Sequence, residues 1–329
     1  MIRGIFADNL HTPLVTIAIP TYERLNYLKE AVASALSQSY ANIEVLIGDD
    51  GSNDLLCAWC REQMREHPQI RYQRNIRNLG LAGNWNALAD TAKGEFIVII
   101  GDDDRLLPEF VSKTIAALLP DGAVAFSNHF IIDHEGTRLN EESHRFSKEY
   151  GRDDLRSGQL MDAEMCAWRN AIPMSASLIR TAAVRQLRFK EDLNNPEIEL
   201  FIRLARSGGK FFFLTDYLAE YRVHSQSATA SLGLTSDHLL KYLIGIPVRP
   251  EVETLKIQFL EKQIVNAVSR LLLAGKSANA RKLLASEYYP NAERRRLRGV
   301  VQSVCAYLPR WLGPFAYKAI WRLKTACLV

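Results

Sequence analysis

The chain has 329 residues, 47% of them hydrophobic and 24% charged, with a formal net charge of +4. Such a length and composition exclude a disordered or fibrous chain and predict a full hydrophobic core with room for a second element. So small a basic excess gives no reason to expect nucleic-acid binding, and no run approaches the roughly 18 consecutive apolar residues of a membrane-spanning helix.

Residues Met1–Asp8 lack the apolar core of a secretory signal, so a cytoplasmic location is expected. Cys57, Cys60, Cys166, Cys305 and Cys327 are odd in number and scattered, which fits reduced thiols better than a disulfide framework. Cys57-Ala58-Trp59-Cys60 has the spacing of a redox or zinc pair, but no second pair accompanies it; both sulfurs are expected on a helix as structural residues.

Leu14 to Ile19 is apolar and β-branched and is closed by Pro20, the pattern of a buried strand. Residues 27–39 space Leu28, Ala31, Val32, Ala35 and Leu36 as on a helix. A second strand is predicted over 43–48, a helix over 54–67, a short strand over 70–73, a helix over 83–92 and a doubly buried strand over 96–100. Further strands are expected at 123–127, 175–179 and 211–214, with polar, loop-rich chain over 134–160 and a helix over 198–207. Strands alternating with helices, several wholly apolar, imply a mainly parallel sheet with helices on both faces. After Ser231 the pattern is helical, over 254–273 and 278–286, so two regions are predicted: an α/β domain over 1–235 and a helical region over 236–329.

In sheets of this kind ligands bind beyond the carboxyl ends of the strands. The polar residues gather there: Pro20-Thr21-Tyr22-Glu23 after the first strand, Asp49-Asp50-Gly51-Ser52 after the second, Gly101-Asp102-Asp103-Asp104 after the fourth. Three consecutive carboxylates behind a buried strand are costly to hold without a cation, because neighbouring like charges raise one another's pKa. Hard oxygen ligands select Mn2+ or Mg2+, which also take phosphate oxygens and can neutralise a departing diphosphate. The competing reading is a solvated acidic turn.

Taken in order, Ile17-Ala18-Ile19-Pro20-Thr21-Tyr22-Glu23-Arg24, Ile43 to Ser52, Asn78-Leu79-Gly80 with Asn86, and Ala92 to Phe96 leading into Gly101-Asp102-Asp103-Asp104 resemble family 2 glycosyltransferases of the GT-A fold, over residues 13–230. The resemblance implies an inverting transfer of sugar from a nucleoside diphosphate sugar, UDP by family habit, to an acceptor hydroxyl in bacterial surface glycan synthesis. It implies that Pro20, Thr21, Tyr22, Glu23, Asp49 and Asp50 surround the base and ribose, and that Asn78 and Asn86 shape the donor's loop and helix. The family's metal signature is Asp-x-Asp; aligned on Pro108 its first Asp falls on Gly101 and its second on Asp103. Asp103 is thus the preferred metal ligand, Asp104 a supporting one and Asp102 a ribose or diphosphate neighbour. Pro196-Glu197-Ile198-Glu199 resembles the family's acceptor-side acidic motif, which implies Glu197 as catalytic base with Glu199 second. Tyr221-Arg222-Val223-His224-Ser225-Gln226-Ser227 resembles the closing motif, implying His224 at the metal or the diphosphate and Arg222 or Ser227 at the phosphates.

Past Asn291, Arg294, Arg295, Arg296 and Arg298 stand among Val300, Val304, Tyr307, Trp311, Phe315, Ile320 and Trp321. Basic residues beside aromatic ones predict a helix lying on an anionic membrane surface, at the inner face of the cell membrane, where a lipid-linked or glycan acceptor would be met. The competing reading is a helix packed on its own domain or in an oligomer. Two other functions compete. A nucleotidyltransferase is expected to carry a basic, Gly-rich loop after strand one, which Pro20-Thr21-Tyr22-Glu23 is not. A non-catalytic nucleotide-sugar-binding protein is kept open by the departures at Gly101 and Glu197.

Overall fold

A computed structural model describes residues 12–118, 120–224, 237–309 and 311–326. The chain forms two compact units: one runs to Asp192 and resumes over Pro196–His224, and the other holds Leu193–Asn195 with the chain after His224.

The first unit is built on a nine-stranded sheet: β1 (Val15–Thr21), β2 (Ile43–Asp49), β3 (Ile70–Arg74), β4 (Phe96–Ile99), β5 (Arg105–Leu106), β6 (Gly122–Ile132), β7 (Gly158–Gln159), β8 (Ser177–Arg180) and β9 (Lys210–Arg222). The order is β3-β2-β1-β4-β8-β6-β9-β5, with β7 paired to β9. β3, β2, β1 and β4 run parallel, whereas β8 is antiparallel to both β4 and β6. β1 and β4 are buried on both faces, which is why they read as unbroken apolar runs. α1 (Leu25–Leu36), α2 (Asp54–Glu66) and α3 (Gly80–Thr91) connect these strands. α2 starts where Asn53 accepts the Leu55 and Leu56 amides, and it buries Leu56, Cys57 and Cys60. Cys57, Cys60, Cys166 and Cys305 are free and buried; Cys327 lies outside the described residues. Burial pushes the Cys60 thiol up to about 12, which leaves it a poor nucleophile. α4 (Phe110–Leu118), α5 (Asn140–Glu149), α6 (Ala163–Trp168), α7 (Thr181–Leu187) and α8 (Pro196–Arg206) complete the unit.

Of the elements that go beyond the sequence pattern, which include α4, α6 and α7, three have a clear physical reason. The strand expected at 123–127 continues to Ile132, because Asn128 and His129 sit in the strand while buried. Asn128 donates to Thr215 O at 3.1 Å and accepts from Arg152 Nε at 3.0 Å, so a polar pair interrupts the apolar signal without ending the strand. β9 likewise extends to Arg222, pairing with β6 through two register shifts around Asn128. The polar stretch expected as loop contains α5, which buries only Ser143 and Ser147; Ser143 Oγ accepts the Ile131 amide at 2.8 Å, a contact with no hydrophobic periodicity to announce it.

The second unit is helical: α9 (Asp237–Ile244), α10 (Pro250–Leu273), α11 (Ser277–Leu284), α12 (Asn291–Arg295), α13 (Leu297–Tyr307) and α14 (Gly313–Ala326). α10 buries Val252, Leu260, Ile264, Val268 and Leu272. A buried polar chain ties three helices: Ser269 Oγ accepts from Gln302 Nε2 and Tyr317 Oη, each at 2.7 Å, and Tyr289 Oη donates to Gln302 Oε1 at 2.6 Å. Among the described residues no helix is long and apolar enough to cross a membrane.

His129 supplies a test of the first unit's core. Burial, reinforced by Arg152, pushes its pKa from 6.5 down to about 3. The unfolded chain therefore binds a proton that the folded one refuses, and stability is lost as pH falls through that window. Thermal unfolding followed from pH 6.5 towards 3 should show a shallower acid decline in His129→Asn than in the native protein.

Candidate active site

The three polar turns predicted at the strand ends meet in one place. The Asp50 amide donates to Thr21 O at 3.0 Å, and the Ile100 amide to Ala18 O at 3.0 Å, which aligns the ends of β1, β2 and β4. Thr21 Oγ1 donates to Asp102 Oδ2 at 2.7 Å, and the Tyr22 amide points to the same oxygen at 3.4 Å. Glu23 takes a left-handed φ of 65°, uncommon without glycine. Its Oε1 accepts the Ser52 amide at 2.6 Å and Ser52 Oγ at 3.2 Å. Pro20–Glu23 and Asp50–Ser52 are thus fastened into one lip, with the Tyr22 ring 55% exposed on it.

Asp49 and Asp50 work from behind that lip. Asp49 is fully buried and accepts from Tyr72 Oη at 2.7 Å and the Gly51 amide at 2.9 Å. Asp50 accepts the Leu79 amide at 2.8 Å, the Gly80 amide at 2.9 Å and Asn75 Nδ2 at 3.0 Å. Asn78 Oδ1 also accepts the Gly80 amide, at 2.8 Å, where the chain turns through a φ of 73° that glycine tolerates. Asn86 is not brought to the lip: buried in α3, it donates to Phe189 O and accepts the Phe189 amide, both at 2.9 Å, clamping the chain after α7.

After β4 the three carboxylates diverge. Asp102 is fully buried, and the Arg24 guanidinium lies 2.5 Å from its Oδ1. Asp103 is the most open, its side chain 12% exposed, and Oδ2 meets Arg24 at 2.7 Å and His224 Nε2 at 2.9 Å. Asp104 turns the other way and accepts the Arg222 amide at 3.0 Å and the Ser175 hydroxyl. Of the expected metal set, Asp103 and His224 converge, whereas Asp104 is drawn off to Ser175 and Arg222. Among the described residues no group of three or more His, Cys, Asp or Glu side chains is arranged to hold a metal ion. A Cβ at residue 101 would fall 2.6 Å from Asp103 Oδ1, so Gly101 leaves the room that this orientation of Asp103 takes.

Burial pushes the Asp102 pKa up to about 6, with Asp103 adding to the rise and Arg24 opposing it. Asp104 is raised as well, first by burial and then by Asp103. Arg222 was expected at the phosphates; instead its buried guanidinium donates to Asp103 O at 2.8 Å, His134 O at 3.1 Å and Glu30 at 2.5 Å, under the Tyr27 ring. Ser227 lies outside the described residues.

Glu197 stands half-buried in the first turn of α8, which Pro196 opens and whose dipole favours a carboxylate there. Glu199, second in the sequence reading, is fully buried and paired with Arg203 at 2.7 Å. Arg24 and Ser175 had been given no role. Arg24 closes the Ile17–Arg24 segment as its only cation, which is the signal for it; nothing in the sequence marks Ser175.

A sheet whose parallel half ends in acidic turns at its carboxyl edge is the pattern expected of the GT-A fold. Residues 16–179, about half of the chain, match glycosyl transferase family 2, and the chain belongs to that family. It is 24% identical over 232 residues, 70% of this chain and 71% of the relative, to the GalNAc(5)-diNAcBac-PP-undecaprenol beta-1,3-glucosyltransferase of Campylobacter jejuni. The fold matches that of S. aureus TarS 1-349 in complex with UDP-GlcNAc, with a TM-score of 0.62 and 15% identity over 94% of this chain and 91% of the other. It also matches mannosyltransferase PcManGT from Pyrobaculum calidifontis in complex with GDP-Man and Mn2+, with a TM-score of 0.57 and 16% identity over 93% and 86%.

The paired hydrogen bonds of Asn86 predict a structural role. Asn86→Ala should lower stability by about 1–3 kcal/mol in urea denaturation.

Proposed function

We propose that the protein moves a sugar from a nucleoside diphosphate sugar, UDP-linked, onto an acceptor hydroxyl with inversion at the anomeric carbon. The observation that carries this reading is the acidic turn after β4, where Asp103 and His224 meet at 2.9 Å beside the lip formed by Pro20–Glu23. In it, the exposed Tyr22 ring faces the base. Thr21 holds Asp102 at the ribose side, and Asp49, Asp50 and Asn78 keep the surrounding backbone in shape. Support for a nucleotide-sugar donor comes from the UDP-GlcNAc and GDP-Man complexes of the two structural neighbours.

The donor atoms of Asp103 and His224, a carboxylate oxygen and an imidazole nitrogen, suit a divalent cation, and the nitrogen favours Mn2+ over Mg2+. These two residues would hold it, and when bound it supplies positive charge to the departing diphosphate. Asp104 positions the turn from beneath rather than joining them.

Glu197 is the base. An acceptor hydroxyl needs a carboxylate it can reach to take its proton as the sugar bond forms; Glu199 is fully buried, whereas Glu197 is half-buried. One base acting in one displacement inverts the anomeric carbon. Glu197→Gln should retain UDP binding yet lose about 10^2–10^4-fold in kcat, read as nucleotide release in the presence of acceptor. Asp103→Ala should abolish Mn2+-dependent UDP affinity and transfer together. If Asp103→Ala keeps both, the reading fails.

The acceptor is proposed to be lipid-linked, as the Campylobacter relative's name states for that enzyme, and the helical unit has a surface to match. α13 presents Leu297, Val300, Val304 and Tyr307 outward at helical spacing, with Trp311 and Phe315 beyond it, while Gln302, Cys305 and Ala306 are buried. Exposed Arg295 and Arg296 precede this stripe and Lys318 follows it, the pairing of apolar and basic groups that an anionic membrane surface attracts. The full chain should co-sediment with phosphatidylglycerol vesicles, and Val304→Glu with Tyr307→Glu should release it without changing its far-UV circular dichroism.

A further inference from the structure

Arg24 stands where no sequence motif assigns it work. It follows Glu23, whose left-handed φ of 65° and contact with Ser52 fix the backbone at the start of α1. From that anchor its guanidinium reaches two carboxylates one residue apart, at 2.5 Å from Asp102 and 2.7 Å from Asp103. The Asp103 oxygen it contacts is the one that also meets His224 Nε2, at 2.9 Å. The guanidinium is therefore seated on an atom that a divalent cation would need, and it is the fork geometry of arginine that reaches both carboxylates at once.

We propose that Arg24 is a resident counter-ion for the acidic turn, and that it makes divalent-cation binding conditional on the nucleotide. This rests on the glycosyl-transfer reading above and adds an order of events to it. Without donor, the single positive charge of Arg24 neutralises Asp102 and Asp103, and a cation arriving at Asp103 meets a like charge already in place. A nucleoside diphosphate brings anionic oxygens to the lip from which Arg24 springs. The guanidinium then has a second partner of the same chemistry, and exchanging one oxyanion for the other frees Asp103. Nucleotide and cation thus bind cooperatively through one side chain, a reciprocal coupling of two sites by thermodynamic necessity. Arg24 acts here as a positioning residue for the cation's ligands.

Free Mn2+, followed by its electron paramagnetic resonance signal during titration of the full chain, tests this with UDP and GDP as the probes. The native protein should bind Mn2+ weakly alone and about tenfold or more tighter with a nucleotide, within the usual range of coupling between sites. In Arg24→Gln, Mn2+ alone should bind tighter than in the native protein, and the enhancement by nucleotide should shrink. Arg24→Lys keeps the charge but loses the fork and should fall between the two; it decides the matter if Arg24→Gln does not fold. Mn2+ binding that is no tighter in the folded variants, or that does not respond to nucleotide in the native protein, overturns the proposal. UDP or GDP binding with no Mn2+ binding in any variant removes the proposal and leaves the transferase reading standing; loss of nucleotide binding as well removes both.

Discussion

Three adjacent carboxylates must be kept at the buried end of a strand, and the polar contacts around them answer that demand. Two like charges about 4 Å apart repel by about 4 kcal/mol at an effective dielectric near 20, so one unpartnered neighbour is enough to distort such a turn. The chain solves this by sending the three side chains to three places. Asp102 goes to Thr21 and Arg24, Asp103 to Arg24 and His224, and Asp104 to Ser175 and the Arg222 amide. Burial, with the Asp103 charge adding to it, raises the pKa of Asp102 and Asp104. Of the three side chains, Asp103 is the one left partly open to solvent.

The same demand explains why distant segments converge. Arg222, the last residue of β9, uses its amide for Asp104 and its guanidinium for Asp103 O, while pairing with Glu30 of α1. Arg105 continues this network by pairing with Glu220 at 2.7 Å. The end of β9, the start of α1 and the acidic turn thus hold one another, and His224 is carried to Asp103 because it lies two residues past Arg222. On the other side, Asp50 gathers the amides of Leu79 and Gly80, so the lip is shaped by carboxylates that face backbone. The Asp residues at these strand ends thus mix two jobs: Asp49 and Asp50 shape the turns, and Asp103 keeps partial exposure.

In the helical unit a polar chain through Ser269, Gln302, Tyr289 and Tyr317 lies buried where an apolar core would ordinarily suffice, with each polar atom of the chain meeting another. It fixes the rotation of α13. With Gln302, Cys305 and Ala306 turned inward, the apolar residues at the intervening positions are left outside, so the exposed stripe follows from the packing beneath it.

The alternation of strands and helices through β4, the parallel half of the sheet and the location of the acidic turns were determined by the sequence alone, because burial and hydrophobic period are properties of neighbouring residues. The apolar runs at 14–19 and 96–100 could only be interior strands, and the polar residues at their ends had to lie at the sheet's carboxyl edge. Tertiary structure decided which partner each polar group meets. Asn86 had the look of a donor-side residue until Phe189, 103 positions away, took both ends of its amide. Asp104 and Asp103 are adjacent in sequence yet face apart, because their partners come from Arg222, 118 residues from Asp104, and from Arg24, 79 residues before Asp103. α5 and the second half of β6 escaped notice for the same reason: α5 buries only serines, and buried Asn128 and His129 break the apolar run of β6. A buried polar side chain is recognised by the atom it bonds, which only folding brings near.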